Sequence, residues 1–82
     1  MTLPEPVLAF LKERSEAAGG APPRPDDDLF KLGALDSFAL VDFLTILEDN
    51  CGIKIPDSDV NAANFQNIEI IERYVEQRKQ AL

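Results

Sequence analysis

Apolar residues along this 82-residue chain recur at helical rather than strand spacing. Leu3, Val7, Phe10, Leu11 and Ala18 keep a three-to-four-residue period, with Lys12, Glu13, Arg14 and Glu16 mostly outside it. This predicts a first amphipathic helix. Thr2 and Glu5 have the spacing of a capping box, Pro4 is tolerated in the first turn, and Gly19-Gly20 stops the helix. Residues 21–35 form a long connection in which Pro22, Pro23 and Pro25 forbid a regular helix. A connection of that length needs anchors, and Leu29, Phe30, Leu32 and Leu35 are the apolar residues available. The run 37–50 lacks Gly and Pro, follows Asp36 as a good N-cap and is closed by Gly52, so it predicts a second helix.

Ile53 to Pro56 reads as a short extended turn, after which Asp57, Ser58 and Asp59 offer caps for a brief helical turn around residues 60–63. Phe65 is an apolar anchor before a last helix that starts near Gln66 or Asn67 and runs to about Lys79. Its inner stripe is Ile68, Ile71 and Val75, supplemented by Ile70 and Tyr74. Glu69 and Glu72 near its start and Arg78 and Lys79 near its end suit the helix dipole. The expectation is an all-α bundle of three main helices and one short helix, with a long loop between the first two helices.

The second helix carries more apolar surface than a core needs. At about 100° per residue, Leu40, Phe43, Leu44, Leu47 and Cys51 share one arc. Phe38, Val41 and Thr45 fall on a roughly opposite arc, which Asp42, Glu48 and Asp49 share or border. The long loop could fold over Phe38 and Val41. Otherwise they form an exposed apolar patch ringed by carboxylates, which has the composition of a protein docking site.

Charge sharpens the second reading. The net charge is −7, from 15 acids and 8 bases. Nine acids and two bases lie between Asp26 and Asp59, so the whole excess falls in the middle of the chain. Such a face is either a solvating surface or a field that steers basic partners. A phosphate-neutralising nucleic-acid binder is disfavoured. The absence of His and the single Cys exclude a Ser-His or Cys-His catalytic pair, a disulfide framework and a Cys/His zinc site. The chain reads as one domain spanning 1–82, too small for a deep active-site cleft. No apolar run is long enough to span a bilayer and the first residues do not resemble a signal peptide, so the expected location is cytoplasmic.

Ser37 stands between a Gly-containing loop and a helix N-terminus. It could simply assist Asp36 in capping. Free backbone N–H groups and the helix dipole also favour a phosphate there, and a phosphodiester on Ser37 would project beside the Phe38/Val41 face.

The segment Leu32-Gly33-Ala34-Leu35-Asp36-Ser37-Phe38 resembles the 4′-phosphopantetheine attachment motif of acyl carrier proteins. The resemblance continues through Leu47-Glu48, through Gly52-Ile53-Lys54-Ile55-Pro56-Asp57, and through Asn64-Phe65 into the stripe from Ile71 to Val75. It implies an acyl-carrier-like four-helix bundle and a carrier rather than an enzyme. Ser37 would take the covalent 4′-phosphopantetheine arm from coenzyme A, through a separate phosphopantetheinyl transferase that supplies base and Mg²⁺. The arm would carry acyl or aminoacyl groups as thioesters. Loading ligases and synthase enzymes of fatty acid, polyketide or nonribosomal biosynthesis would read a docking face of Asp36, Phe38, Val41, Asp42, Thr45, Glu48 and Asp49. The carrier is expected to be a monomer.

Departures from the family pattern bear on cargo: Phe38 replaces the usual Leu, Ala39 occupies an often acidic position, and Asn64-Phe65 resembles specialised or aminoacyl stand-alone carriers. Leu44, Leu47, Val60, Phe65 and Ile71 would line an acyl pocket, or simply a packed core. The different-class alternative is an unmodified acidic helical module that binds a basic protein through the Phe38/Val41 face. Two calcium-loop matches, at Asp26/Asp28 and Asp57/Asp59/Asn61, lack the required Gly or the bidentate Glu, so no metal site is expected. Cys51 lies in the core arc and is expected to be a buried, inert thiol.

Overall fold

Three α-helices carry the chain: α1 (Glu5–Ala17), α2 (Ala39–Cys51) and α3 (Ile68–Gln80). The computed structural model describes residues 2–80, so Met1, Ala81 and Leu82 of the expected 1–82 domain lie outside the described residues. The described residues contain no strand.

Where one short helix is expected around residues 60–63, there are instead two 3₁₀ turns, Asp57–Asp59 and Ala62–Phe65. The split has a local cause. Asn61 caps the second turn by accepting the Asn64 N–H on Oδ1 at 3.0 Å, and a capping residue must lie outside the helical backbone it caps. Asn61 is accordingly extended, at φ −151° and ψ 163°.

The capping box expected at the start of α1 is not formed. Pro4 occupies the N-cap position with no side-chain cap bond. Its carbonyl accepts the Val7 and Leu8 N–H groups at 3.0 and 3.2 Å. Pro6 in the first turn has no N–H to satisfy and a pre-set φ, so Thr2 has less to cap. At the other end Gly19 donates to Glu16 O at 3.0 Å and Gly20 to Ser15 O at 2.9 Å, a Schellman closure where the Gly-Gly pair predicts a stop.

The core is built from all three helices and from the connection between α1 and α2. Val7 and Leu11 of α1, Phe43 and Leu47 of α2, and Ile71 and Val75 of α3 are fully buried. A chain of rings crosses them. Phe10 lies 5.9 Å from Phe43, Phe43 lies 6.4 Å from Phe65, and Phe65 lies 5.4 Å from Tyr74, measured between centroids. Contacts at such separations add to the area each ring buries.

The connection is pinned at both ends of its length. Leu29 and Leu35 are buried and Phe30 packs against the core, while Leu32 is only half-buried. Buried Ser15 donates to Ala21 O at 2.7 Å. Leu29 N–H donates to Gln66 O at 2.8 Å, and Glu69 N–H to Pro25 O at 3.1 Å, which ties the connection to the start of α3.

Candidate functional site

The approach to α2 is a succession of capped turns. Asp28 Oδ1 accepts the N–H groups of Phe30 and Lys31 at 3.0 and 3.1 Å. The Lys31 bond is the chief cause holding that carboxyl below its ordinary range. Ala34 and Leu35 both donate to Leu29 O. Gly33 has φ +79°, and a Cβ on it would lie 2.9 Å from Ala18 Cβ. The connection therefore crosses the end of α1 at a distance that admits only glycine.

Asp36 then sets the helix start. Its Oδ1 accepts Phe38 N–H at 3.0 Å and Ala39 N–H at 2.7 Å, and its carbonyl accepts Leu40 N–H at 2.9 Å. The regular helix begins at Ala39, two residues later than the run 37–50 suggests, yet the capping bonds are those expected of Asp36. Arg14 reaches over from α1. Its Nε donates to Ala34 O at 3.0 Å, and its Nη2 meets Asp36 Oδ2 at 3.3 Å. The Ala39 N–H, then the Phe38 N–H and the Arg14 charge, hold the Asp36 carboxyl below its usual range. Nothing in the local sequence marks Arg14, because the contact joins residues 22 apart.

Ser37 is exposed beside this cap. Phe38 is 87% and Val41 63% exposed, so the connection does not fold over them. Asp42, Thr45 and Asp49 are exposed on the same helix, the Thr45 hydroxyl donating to Val41 O at 3.4 Å. On the other side Phe43 and Leu47 are fully buried, Cys51 is buried, and Leu40 and Leu44 are half-buried. Ala39 is also buried, where an acidic side chain would be costly.

Glu48 departs from the role of a free surface carboxylate. It is half-buried, and its Oε2 accepts Ile55 N–H at 2.8 Å. Glu48 thus fastens the turn after α2, which follows Gly52 in the left-handed conformation at φ 66°.

The family model for the phosphopantetheine attachment site matches residues 11–75. The chain belongs to this family of carrier proteins. Carriers of this family are not catalysts; they hold 4′-phosphopantetheine covalently and interact with phosphopantetheinyl transferases and synthases. Comparison with curated proteins gave no match.

The other sequence-predicted groups of the carrier lie apart from the cap. Leu47, Phe65 and Ile71 are fully buried, Leu44 is half-buried, and Val60 is 37% exposed. Burial raises the Cys51 thiol above its ordinary value, with Lys79 opposing, so it stays protonated at neutral pH. Tyr74 donates its hydroxyl to Asp59 Oδ2 at 2.7 Å. Among the described residues no three carboxylate or thiol side chains cluster closely enough to hold a metal, and no helix is long and apolar enough to cross a membrane.

Proposed function

We propose that Ser37 is the attachment point of 4′-phosphopantetheine, and that the chain carries acyl or aminoacyl intermediates as thioesters on that arm. One observation carries this reading. Of the four Ser and Thr side chains in the matched span, Ser37 alone is exposed at the N-terminal edge of a long helix beside an exposed apolar face. Ser15 is fully buried and donates to Ala21 O. The Thr45 hydroxyl turns back on its own helix. Ser58 lies in a three-residue 3₁₀ turn between two aspartates.

In the attachment step the Ser37 Oγ forms a bond to the phosphorus that bears pantetheine. The bond from that phosphorus to the adenosine bisphosphate half of coenzyme A breaks, and the transferase's base takes the serine proton. The arm supplies a terminal thiol for thioester exchange. This chain's residues expose the hydroxyl, hold its turn and offer a face to partners.

That docking face is Phe38, Val41, Thr45, Asp42 and Asp49, with Asp36 and Glu48 at its border. It suits basic surfaces on the transferase, on loading ligases and on synthases, in fast and salt-sensitive encounters. The two 3₁₀ turns stand in for the short third helix of a four-helix carrier. A cargo chain that shelters in the protein enters at Val60 and Leu44 and parts Leu47, Phe65 and Ile71. The carrier works as a cytoplasmic monomer, one domain over 1–82.

The test is intact mass after the apo chain is incubated with coenzyme A, Mg²⁺ and a broad-specificity phosphopantetheinyl transferase. A single gain of about 340 Da is expected for wild type and none for Ser37→Ala. A folded wild-type chain that gains nothing contradicts the reading. It then leaves the Phe38/Val41 face as that of an unmodified interaction module.

A further inference from the structure

We infer that Arg14 is a positioning residue for the modification of Ser37, acting from α1 through the Ala34 carbonyl and the Asp36 carboxylate. The inference rests on the attachment reading and adds a residue from outside the attachment motif. Residues 32–53 contain no Lys or Arg, so the turn that presents Ser37 has no cation of its own. Arg14 brings one in from α1.

The guanidinium uses two of its donors on two residues of one turn, Nε on Ala34 O and Nη2 on Asp36 Oδ2. Asp36 Oδ1 is committed to the N–H groups of Phe38 and Ala39. One planar side chain therefore spans the turn from Ala34 to the capped start of α2, with Ser37 next to the clamped carboxylate. A fork of fixed geometry is what arginine supplies and lysine does not. The close crossing of Gly33 over Ala18 holds the end of α1 against that turn, four residues beyond Arg14. Charge gives a second reason. A phosphodiester on Ser37 places a negative charge beside Asp36, and Arg14 offsets the carboxylate already there.

A purely structural role predicts little, because an exposed ion pair of this kind adds little stability. An electrostatic role in docking predicts the opposite sign. Removing a cation makes the chain more acidic and favours encounter with a basic transferase. Positioning predicts a loss at saturation instead.

The experiment compares wild type, Arg14→Ala and Arg14→Lys as apo chains in the coenzyme A transfer assay, with kcat and KM for the carrier measured separately. The Asp36 carboxyl is followed by NMR titration in the same proteins. Expected results are a fall in kcat of about tenfold for Arg14→Ala with KM unchanged or lower, and an upward shift of the Asp36 titration. Arg14→Lys should restore part of the titration shift and less of kcat. Circular dichroism shows each variant folded at the assay temperature. Wild-type kcat in Arg14→Ala, or a loss confined to KM, overturns the inference and leaves Ser37 attachment standing. A folded wild-type chain that takes no arm overturns both.

Discussion

The two faces of α2 are made from similar side chains and have opposite surroundings. Phe43 is fully buried, while Phe38, five residues earlier, is 87% exposed. A phenyl ring moved fully from water into the core contributes about 1.5–3 kcal/mol, so the outer ring forgoes most of that. The inner face is completed within the chain, by Phe10 of α1 and Phe65 before α3. The outer face is exposed, with the carboxylates of Asp42 and Asp49 exposed on the same helix. In the carrier reading proposed above, what differs is where the completing surface comes from: this chain on one side, a partner protein on the other. Stability and function should therefore separate by face.

The largest effect expected is on the inner face. Phe43→Ala should lower unfolding free energy by about 3–5 kcal/mol, read from urea denaturation. A smaller loss with an unchanged denaturant slope would mean that the ring chain through Phe10, Phe43 and Phe65 is less coupled than its geometry suggests.

The outer face should respond in the other measurement. Phe38→Ala should change stability by no more than about 0.5 kcal/mol and slow arm transfer about tenfold. Asp42→Lys should slow transfer too and flatten its dependence on salt. Asp42 is the cleaner position for charge reversal, because Glu48 also holds the Ile55 backbone and its reversal would mix docking with folding. A Phe38→Ala chain that unfolds early but is modified at the normal rate would erase the distinction between the faces.

The smallest effect concerns the far end of the buried ring chain. Tyr74→Phe should cost about 1 kcal/mol through loss of the bond to Asp59. Burial first, then Asp59, pushes the Tyr74 phenol up to about 12 from an ordinary value near 10. The folded state thus favours the protonated phenol. The stabilisation is complete below pH 10 and is lost as pH rises toward 12, because the unfolded chain ionises first. Wild-type melting temperature should fall across that window, and Tyr74→Phe should lack that component of the fall.

The contrast between the two faces is legible in the sequence because helical periodicity is local. Wheel positions alone separate Phe43 and Leu47 from Phe38 and Val41. The core stripe of α3 and the burial of Leu29 and Leu35 are legible for the same reason: apolar residues at regular spacing, or isolated in a polar connection, have few places to go. Features that depend on distant partners are not. The Arg14 link joins α1 to the α2 cap across 22 residues, and the Glu48 carboxylate turns to a backbone N–H seven residues on. Helix starts also shift where local chemistry competes. Pro4 and Pro6 replace the Thr2 cap, and Asn61 caps its own 3₁₀ turn and splits the expected helix. Ser37 reads as a candidate attachment residue only through its neighbours, since a bare Asp-Ser pair is a common cap.

The most direct test of Ser37 as the attachment residue is fragmentation mass spectrometry of the transferase-treated chain after trypsin. Cleavage at Lys31 and Lys54 isolates residues 32–54 with Ser37 and Thr45, while Ser58 falls in residues 55–73. The arm is expected on Ser37, with the C-terminal fragments that contain Thr45 but not Ser37 unmodified and residues 55–73 at their unmodified mass. An arm found on Thr45 or Ser58 would contradict the account, as would an unmodified 32–54 peptide from a folded chain.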